Sequence, residues 1–522
     1  MSTLSSISSW SGATSRVASS DSGRDYSSLA AASTTAASGA TSSTVVSLGK
    51  AAVDAAARAT PLQWERAGRD SVSNRMANNF SNSYASNRFN GLGSALLEQL
   101  KGGVTQLSQT VMRAPAGAAV DGAGYASGVA ASTLHGMGDS KVSLSVVTKS
   151  GVEVKLSLDS DDDGLAVQMT ASGDLSDAET QALGSLAKGF QEAIDGITQE
   201  PAQLNLGGLM QFDAKELSSV NLQAKIALSA ESAATQSLSF QADATQRKVS
   251  FSGAAGSIDV KVDTSQLASL GSAQQQARAL QVQLQQFDKA ATRGHADAAM
   301  MDMFKQTFSS LHGSIASDAT LTSFGAAPSK WALAAEERSL LTGLADFSAS
   351  VSQTPAMNNP MRLSEQDAFA YSVSQSTSVG GRSYDDRAVS QQQSSTLTAS
   401  YHMPLVAGTA LRLTTAAESQ NYTYHQIDDS ATSEAKIGYK DGKLASATLE
   451  QNTSLSSRVS TYVMGKLKSD ITTPDQHRLL RDLVGALAPY QPGDAALSTE
   501  KRAEQRQAML QGINDSAFLQ PY

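Results

Sequence analysis

The chain has 522 residues, 17% of them charged and only 5% aromatic, and its formal net charge is −9. An acidic chain without a basic block lacks the electrostatic footprint that nucleic acid or an anionic bilayer requires, so neither is an expected partner. Cysteine is absent, which excludes disulfides, thiolate-ligated zinc, iron–sulfur clusters and thiol nucleophiles.

Residues 1–50 are mostly Ser, Ala, Thr and Gly. So few large apolar groups cannot offset the entropy of ordering, and a disordered head is expected. The opening Met1-Ser2-Thr3-Leu4-Ser5-Ser6-Ile7-Ser8-Ser9 has no acid before Asp21. It has no basic segment followed by an apolar one, so a cleaved signal peptide is not expected. Two readings stand for it: a plain flexible tail, or an export signal, since it resembles the non-cleaved N-terminal signals of type III secretion substrates. No apolar run approaches the ~18 residues of a membrane-spanning helix.

Residues 51–114 read as helical, with Val72, Met76, Phe80 and Tyr84 on one face and Leu92, Leu96, Leu97, Leu100, Val104, Leu107 and Val111 continuing at helical spacing. A Gly/Ala linker is expected over 115–138. Its Gly122–Gly128 run lacks the spacing and the following Gly-Lys of a phosphate loop.

An α+β domain is expected over 139–315. Val142, Leu144 and Val146, then Val152, Val154, Leu156 and Leu158, then Leu165, Val167 and Met169 alternate with polar residues, the mark of an antiparallel meander with one buried face. Ser176-Asp177-Ala178-Glu179 is a capping box opening a helix with Leu183, Leu186, Phe190, Ile194 and Ile197 on one face. A second meander spans Leu222–Val262, with turns at Asp243–Gln246 and Gly253–Gly256. A helical hairpin follows, Gln-rich over 273–291 and Met-rich over 300–311, whose two members are expected to pack on each other.

A helix over Trp331–Phe347 and a linker complete 316–365. An antiparallel β domain is expected over 366–490, with an Asp441-Gly442 hairpin turn and a closing helix that Thr473-Pro474-Asp475-Gln476 would cap. A last helix falls within 491–522. Strands followed by a covering helix recur at 142–197, 222–311 and 369–487.

The motif Phe89-Asn90-Gly91-Leu92-Gly93-Ser94-Ala95-Leu96-Leu97, ahead of Thr148-Lys149-Ser150-Gly151-Val152-Glu153-Val154, resembles a group of Ser/Ala-rich proteobacterial proteins over residues 88–230. That group has no assigned activity, and the resemblance carries no site residue over.

Asp159, Asp161, Asp163 and Gly164 match positions 1, 3, 5 and 6 of a calcium-binding loop. Position 12 falls on Thr170 where the bidentate glutamate belongs, and the flanks read as strands, so an acidic hairpin turn is the plainer expectation and a weak calcium site the sharper one. The six histidines show no metal-ligand spacing. His402 and His425 lie in the β region and meet a catalytic role only if carboxylates join them in a pocket. The pairs Asp385-Asp386 and Asp428-Asp429 read as solvated hairpin tips.

The expectation is an α+β protein of antiparallel meanders covered by amphipathic helices, without cofactor or membrane span. Its expected role is non-enzymatic, an interaction or structural protein with protein partners, cytoplasmic or exported without a cleaved signal. A cytoplasmic enzyme with its site in the β-rich C-terminal half is the alternative.

Overall fold

Alternation of apolar and polar side chains, sustained strand after strand, decides the architecture. The computed structural model describes residues 62–66, 68, 70–80, 85–114, 134–229, 232–265, 270–313, 333–487, 499–519 and 521. The chain divides into two units, Met1–Ala59 and Thr60–Tyr522, and the described residues belong to the second. The expected disordered head, the Ala51–Ala59 run and the Gly122–Gly128 run lie outside them.

Among the described residues the strands form one 15-stranded antiparallel sheet. In chain order they are β1 (Leu62–Trp64), β2 (Gln106–Arg113), β3 (Ser140–Thr148), β4 (Glu153–Ser160), β5 (Gly164–Ala171), β6 (Leu217–Ser229), β7 (Ser232–Asp243), β8 (Gln246–Gly253), β9 (Gly256–Asp263), β10 (Phe347–Gln353), β11 (Ala368–Gly381), β12 (Arg387–Pro404), β13 (Tyr422–Lys440), β14 (Lys443–Val463) and β15 (Lys466–Asp482). Their spatial order is β1-β2-β5-β4-β3-β6, then sequential to β15. The first meander therefore runs backwards, and its last strand, β5, is joined by β2.

The helices are α1 (Ser71–Phe80), α2 (Ala85–Arg88), α3 (Leu92–Lys101), α4 (Asp177–Ser185), α5 (Ala187–Ile197), α6 (Gly207–Met210), α7 (Ala273–Gly294), α8 (Ala298–Gly313), α9 (Ala335–Ser339), α10 (Val484–Leu487) and α11 (Thr499–Ala517). Helices α3, α4, α5, α7 and α8 share one apolar core with the inward side chains of the strands. Ser176 opens α4 with the expected reciprocal capping box. Gly93 in α3 lies so close to α5 that a Cβ there would fall 2.7 Å from Ile194 and 2.9 Å from Phe190, which explains the second glycine of the Phe89–Leu97 motif. In the helical hairpin the ring of Phe287 lies 4.8 Å from that of Phe304 and 5.0 Å from that of Phe308, and Met300 and Met301 are buried.

The inward rows change character across the sheet. One runs Leu107, Met169, Leu156, Leu144, Leu222, Phe240, Val249, Val260, Ala349 and Val373, then loses its large apolar groups at Ser395, Ala431, Thr453 and the exposed His477. Where it turns polar, buried and half-buried glutamines hold the covering chain by its backbone. Gln391 accepts from Thr342 N at 2.8 Å, Gln393 donates to Ala517 O at 2.8 Å, and Gln451 donates to Ser516 O and Phe518 O, each at 3.0 Å. Pairing these amides matters because an unsatisfied buried polar group is destabilising.

Three expected helices are corrected. The expected helix does not continue past Gly102-Gly103: Val104 lies in the connection and Leu107 and Val111 belong to strand β2, which pairs with β5. Within Trp331–Phe347 the described helix is only Ala335–Ser339, and Phe347 opens strand β10. The expected helix capped at Thr473 is strand β15, since Met464 and Gly465, with φ of 50° and 71°, turn the chain back onto β14. Pro474 is tolerated there because β15 is the sheet's edge.

Candidate functional site

The side chains suited to acid–base chemistry gather where residues 354–367 cross the sheet beside β12, β13 and β14. His402 stands opposite Tyr424, and Tyr422 opposite Tyr462. His402 Nδ1 is 2.5 Å from Asp367 Oδ1 and its Nε2 is 3.3 Å from Glu365 Oε2. The Tyr422 hydroxyl donates to Glu365 Oε2 at 2.6 Å, and Asn359 and Gln420 exchange amide hydrogen bonds of 3.0 Å. The Arg362 guanidinium lies 4.3 Å from the Tyr462 ring centroid, a cation–π contact.

Burial would raise the Asp367 carboxyl, but hydrogen bonds from His402 and Asn358 outweigh it and hold the group below the usual carboxylate range. Burial and the Glu365 acceptor push the Tyr422 phenol up. The His402 side chain is only 1% exposed. Every polar group of the cluster is engaged in binding the 354–367 segment to the strands, and the arrangement is a clamp.

His425 belongs to the opposite face, stacked on Tyr401 at 4.8 Å, so the sheet separates it from His402. Burial, aided by His295, pulls its imidazole down. Asp428 and Asp429 are not hairpin tips, because β13 runs straight through them. Asp429 is buried and receives Arg293 of α7, with Nη2 at 2.9 Å from Oδ1. Asp385 and Asp386 do lie in a turn, where the Asp386 carboxylate accepts from Asp441 N at 3.1 Å and ties two hairpin tips together. His312 is buried, bonded through Nδ1 to Phe308 O at 3.0 Å, and burial depresses its pKa to about 4.

At the acidic turn, Asp159 lies on β4 and accepts from Ser157 Oγ, while Asp161 Oδ1 accepts from Asp163 N at 3.0 Å. The turn's carbonyl oxygens point at Arg88, which donates to Asp162 O at 3.1 Å and to Asp161 O, and meets Ser160 Oγ at 3.0 Å. A guanidinium thus sits where the turn's oxygens converge. Sequence reading missed Arg88, whose signal is only its place before the Phe89 motif. Among the described residues, no group of three or more His, Asp or Glu is placed to hold a metal ion.

Two hollows accompany these clusters. One, of about 610 Å³, lies between the start of α8 and the β8–β9 turn, lined by Phe251, Met300 and Met303 with Glu200, Asp297 and Asp302. The other, about 660 Å³, is a shallow trough on the sheet face opposite the helices, lined by Lys141, Ser143, Gln223, Lys225, Ser239 and Ser250 among others. It belongs to a larger surface. One outward row runs across Ser108, Gln168, Ser157, Ser143, Gln223, Ser239, Ser250, Asp259, Ser350, Ser372, Thr396, Ser430, Ser454 and Gln476, every member polar and none buried.

No protein-family model, no curated protein and no solved structure matches this chain.

Proposed function

We propose that this chain is a non-enzymatic bacterial interaction or structural protein, exported by a non-classical route, whose working surface is the sheet face opposite the helices. The outward polar row from β2 to β15 carries this reading. It offers a hydrogen-bonding surface many strands wide, with side chains short enough to leave the backbone approachable. Support also comes from the clamp, where the groups best suited to catalysis are bonded to one another.

Because the chain has no cysteine, single substitutions place a probe cleanly. A photo-cross-linker on Ser239→Cys, expressed in the native host, should give discrete protein adducts, and one on Gln274→Cys of α7 should not. Adducts of equal yield from both positions would refute the assignment. Export is tested separately by comparing cells and medium with and without residues 2–50. Retention of both forms in the cells would sink that part.

The runner-up is an enzyme using the C-terminal β region, favoured by the meeting of His402 with Asp367 and Glu365. An enzyme needs His402 within reach of a substrate. Diethyl pyrocarbonate should leave His402 unmodified in the folded protein, and rapid modification there would restore the enzyme reading.

A further inference from the structure

The hollow at the start of α8 joins an apolar floor to an acidic mouth. Phe251 and Met300 on the floor are only 5% and 2% exposed, and Leu228 and Met303 beside them are half-buried. The mouth carries Glu200, Asp297 and Asp302, all exposed, and the lining contains no Lys, Arg or His. Lys305, the nearest lysine along α8, is engaged by Asp288 at 2.8 Å and by Asp302 at 3.0 Å. Asp297 Oδ1 accepts from Met300 N at 2.9 Å and caps α8. Among the described residues, Asp297 Oδ2 and the Glu200 carboxylate meet no donor. Gln236, 5% exposed and also lining the hollow, donates Nε2 to Gln199 O at 3.4 Å. Its amide oxygen meets no donor among the described residues, an arrangement that a bound N–H group would relieve.

The walls are held in place by the fold itself. Gln203 N donates to Gly196 O at 3.0 Å, and a side chain at Gly196 would collide with Gln203 O, so residues 200–203 are pinned to the end of α5. On the other side, Ala255 O accepts from Thr354 N at 2.9 Å, which fixes the β8–β9 turn beside β10. That turn abuts α8: a Cβ at Gly256, where φ is 150°, would fall 2.9 Å from Met300 Cε. The volume of about 610 Å³ lies within the range of small-molecule pockets, roughly 300–1,000 Å³. Walls already in position lower the ordering cost of binding.

We infer that this hollow binds an apolar organic amine in its ammonium form, with the hydrocarbon body on Phe251, Leu228, Met300 and Met303 and the N–H donors toward the carboxylates of the mouth. The Gln236 amide oxygen is a further acceptor in the same hollow. Methionine side chains adapt to bodies of varied outline, so the site selects for charge and apolarity above exact shape. A carboxylic acid of the same size would be repelled by Glu200 and Asp297. The hollow lies on the helix side of the sheet, so this inference goes beyond the reading of the polar face and does not depend on it.

The test is titration calorimetry of the full chain at neutral pH with phenylbutylamine, and with phenylbutanol and phenylbutyrate, which keep the body and change the head group. The amine should bind, the alcohol more weakly and the acid not measurably, and amine binding should weaken as salt is added. Asp297→Asn removes the charge and keeps a good cap for α8, so the Glu200→Gln/Asp297→Asn variant should melt as the parent does. It should bind the amine at least about tenfold more weakly, as expected for loss of charge-assisted hydrogen bonds. Ala299→Trp, which adds bulk to the wall and leaves the carboxylates intact, should block amine and alcohol alike. Glu192→Gln, an acid of α5 outside the lining, should bind as the parent does. No binding of the amine, equal affinity for the alcohol, or parental affinity in the double variant would overturn the inference. The head-group series and the double variant decide it even if Ala299→Trp fails to fold.

Discussion

Glu179 shows how much one side chain can join. Its carboxylate closes the capping box with Ser176 N at 2.9 Å and accepts from Ser150 Oγ at 2.5 Å, so it ties the start of α4 to the β3–β4 turn. The Ser150 hydrogen bond, followed by that from Ser176, holds its pKa at about 2, against about 4.3 for a free glutamate. A depressed folded pKa means the stabilisation is complete above the unfolded value and disappears as pH falls through the window from about 4.3 to about 2. The stability gap between the parent and Glu179→Gln, from urea melts, should therefore be widest near neutral pH and close across that window. A gap independent of pH would contradict the role given to the carboxylate. At the acidic turn, the Arg88 guanidinium already meets the carbonyl oxygens, so calcium should leave the melting temperature unchanged. A calcium-dependent rise that Asp161→Asn abolishes would establish the Asp159, Asp161 and Asp163 site instead.

At the scale of elements, legibility followed the strength of the local pattern. The strands from Val142 to Met169 and from Leu222 to Val262 were legible because one face is packed on helices, which enforces strict alternation. The Asp441-Gly442 turn was legible from its residues, with φ of 51° and 73°. Strand β15 was not legible: its large apolar residues Leu467, Ile471 and Leu480 are more than half exposed, so burial imposes no period on it. Its Leu479 and Leu480, with Leu483 just beyond it, imitate a helix face, and register with β14 decides the outcome. Val104–Val111 misled for a related reason, since β2 gains its partner β5 only through contacts remote in sequence. The clamp was half legible. His402 stood out as a histidine on a strand, but Glu365, Asp367 and Asn359 come from a segment that only the fold brings over it. The helical hairpin carries the plainest energetic prediction of this scale. Phe287 is fully buried against Phe304, Phe308 and Tyr371, so Phe287→Ala should lower unfolding free energy by about 3–5 kcal/mol in denaturant melts. A loss under about 1 kcal/mol would mean that α7 and α8 are not held by this cluster.

Across the whole described unit, the organising fact is asymmetry. Helices and the long apolar rows lie on one side of the 15-stranded sheet, and the other side presents Ser, Thr, Gln and Lys in rows about 4.8 Å apart. On β12–β14 this face carries the clamp, where Tyr422, Tyr424 and Tyr462 are buried, and from β2 to β11 its polar rows suit contact with an extended partner. The strands of the three sets seen in the sequence join edge to edge in this one sheet, the third without its expected helix. The central claim is that this face is the working surface. Its most direct test is the rate of maleimide modification at Ser239→Cys, Ser372→Cys and Gln274→Cys, in purified protein and in the native host. The claim predicts that the first two are slowed in the host while Gln274→Cys is not. Equal rates at all three positions in both settings, or slowing at Gln274→Cys alone, would contradict it.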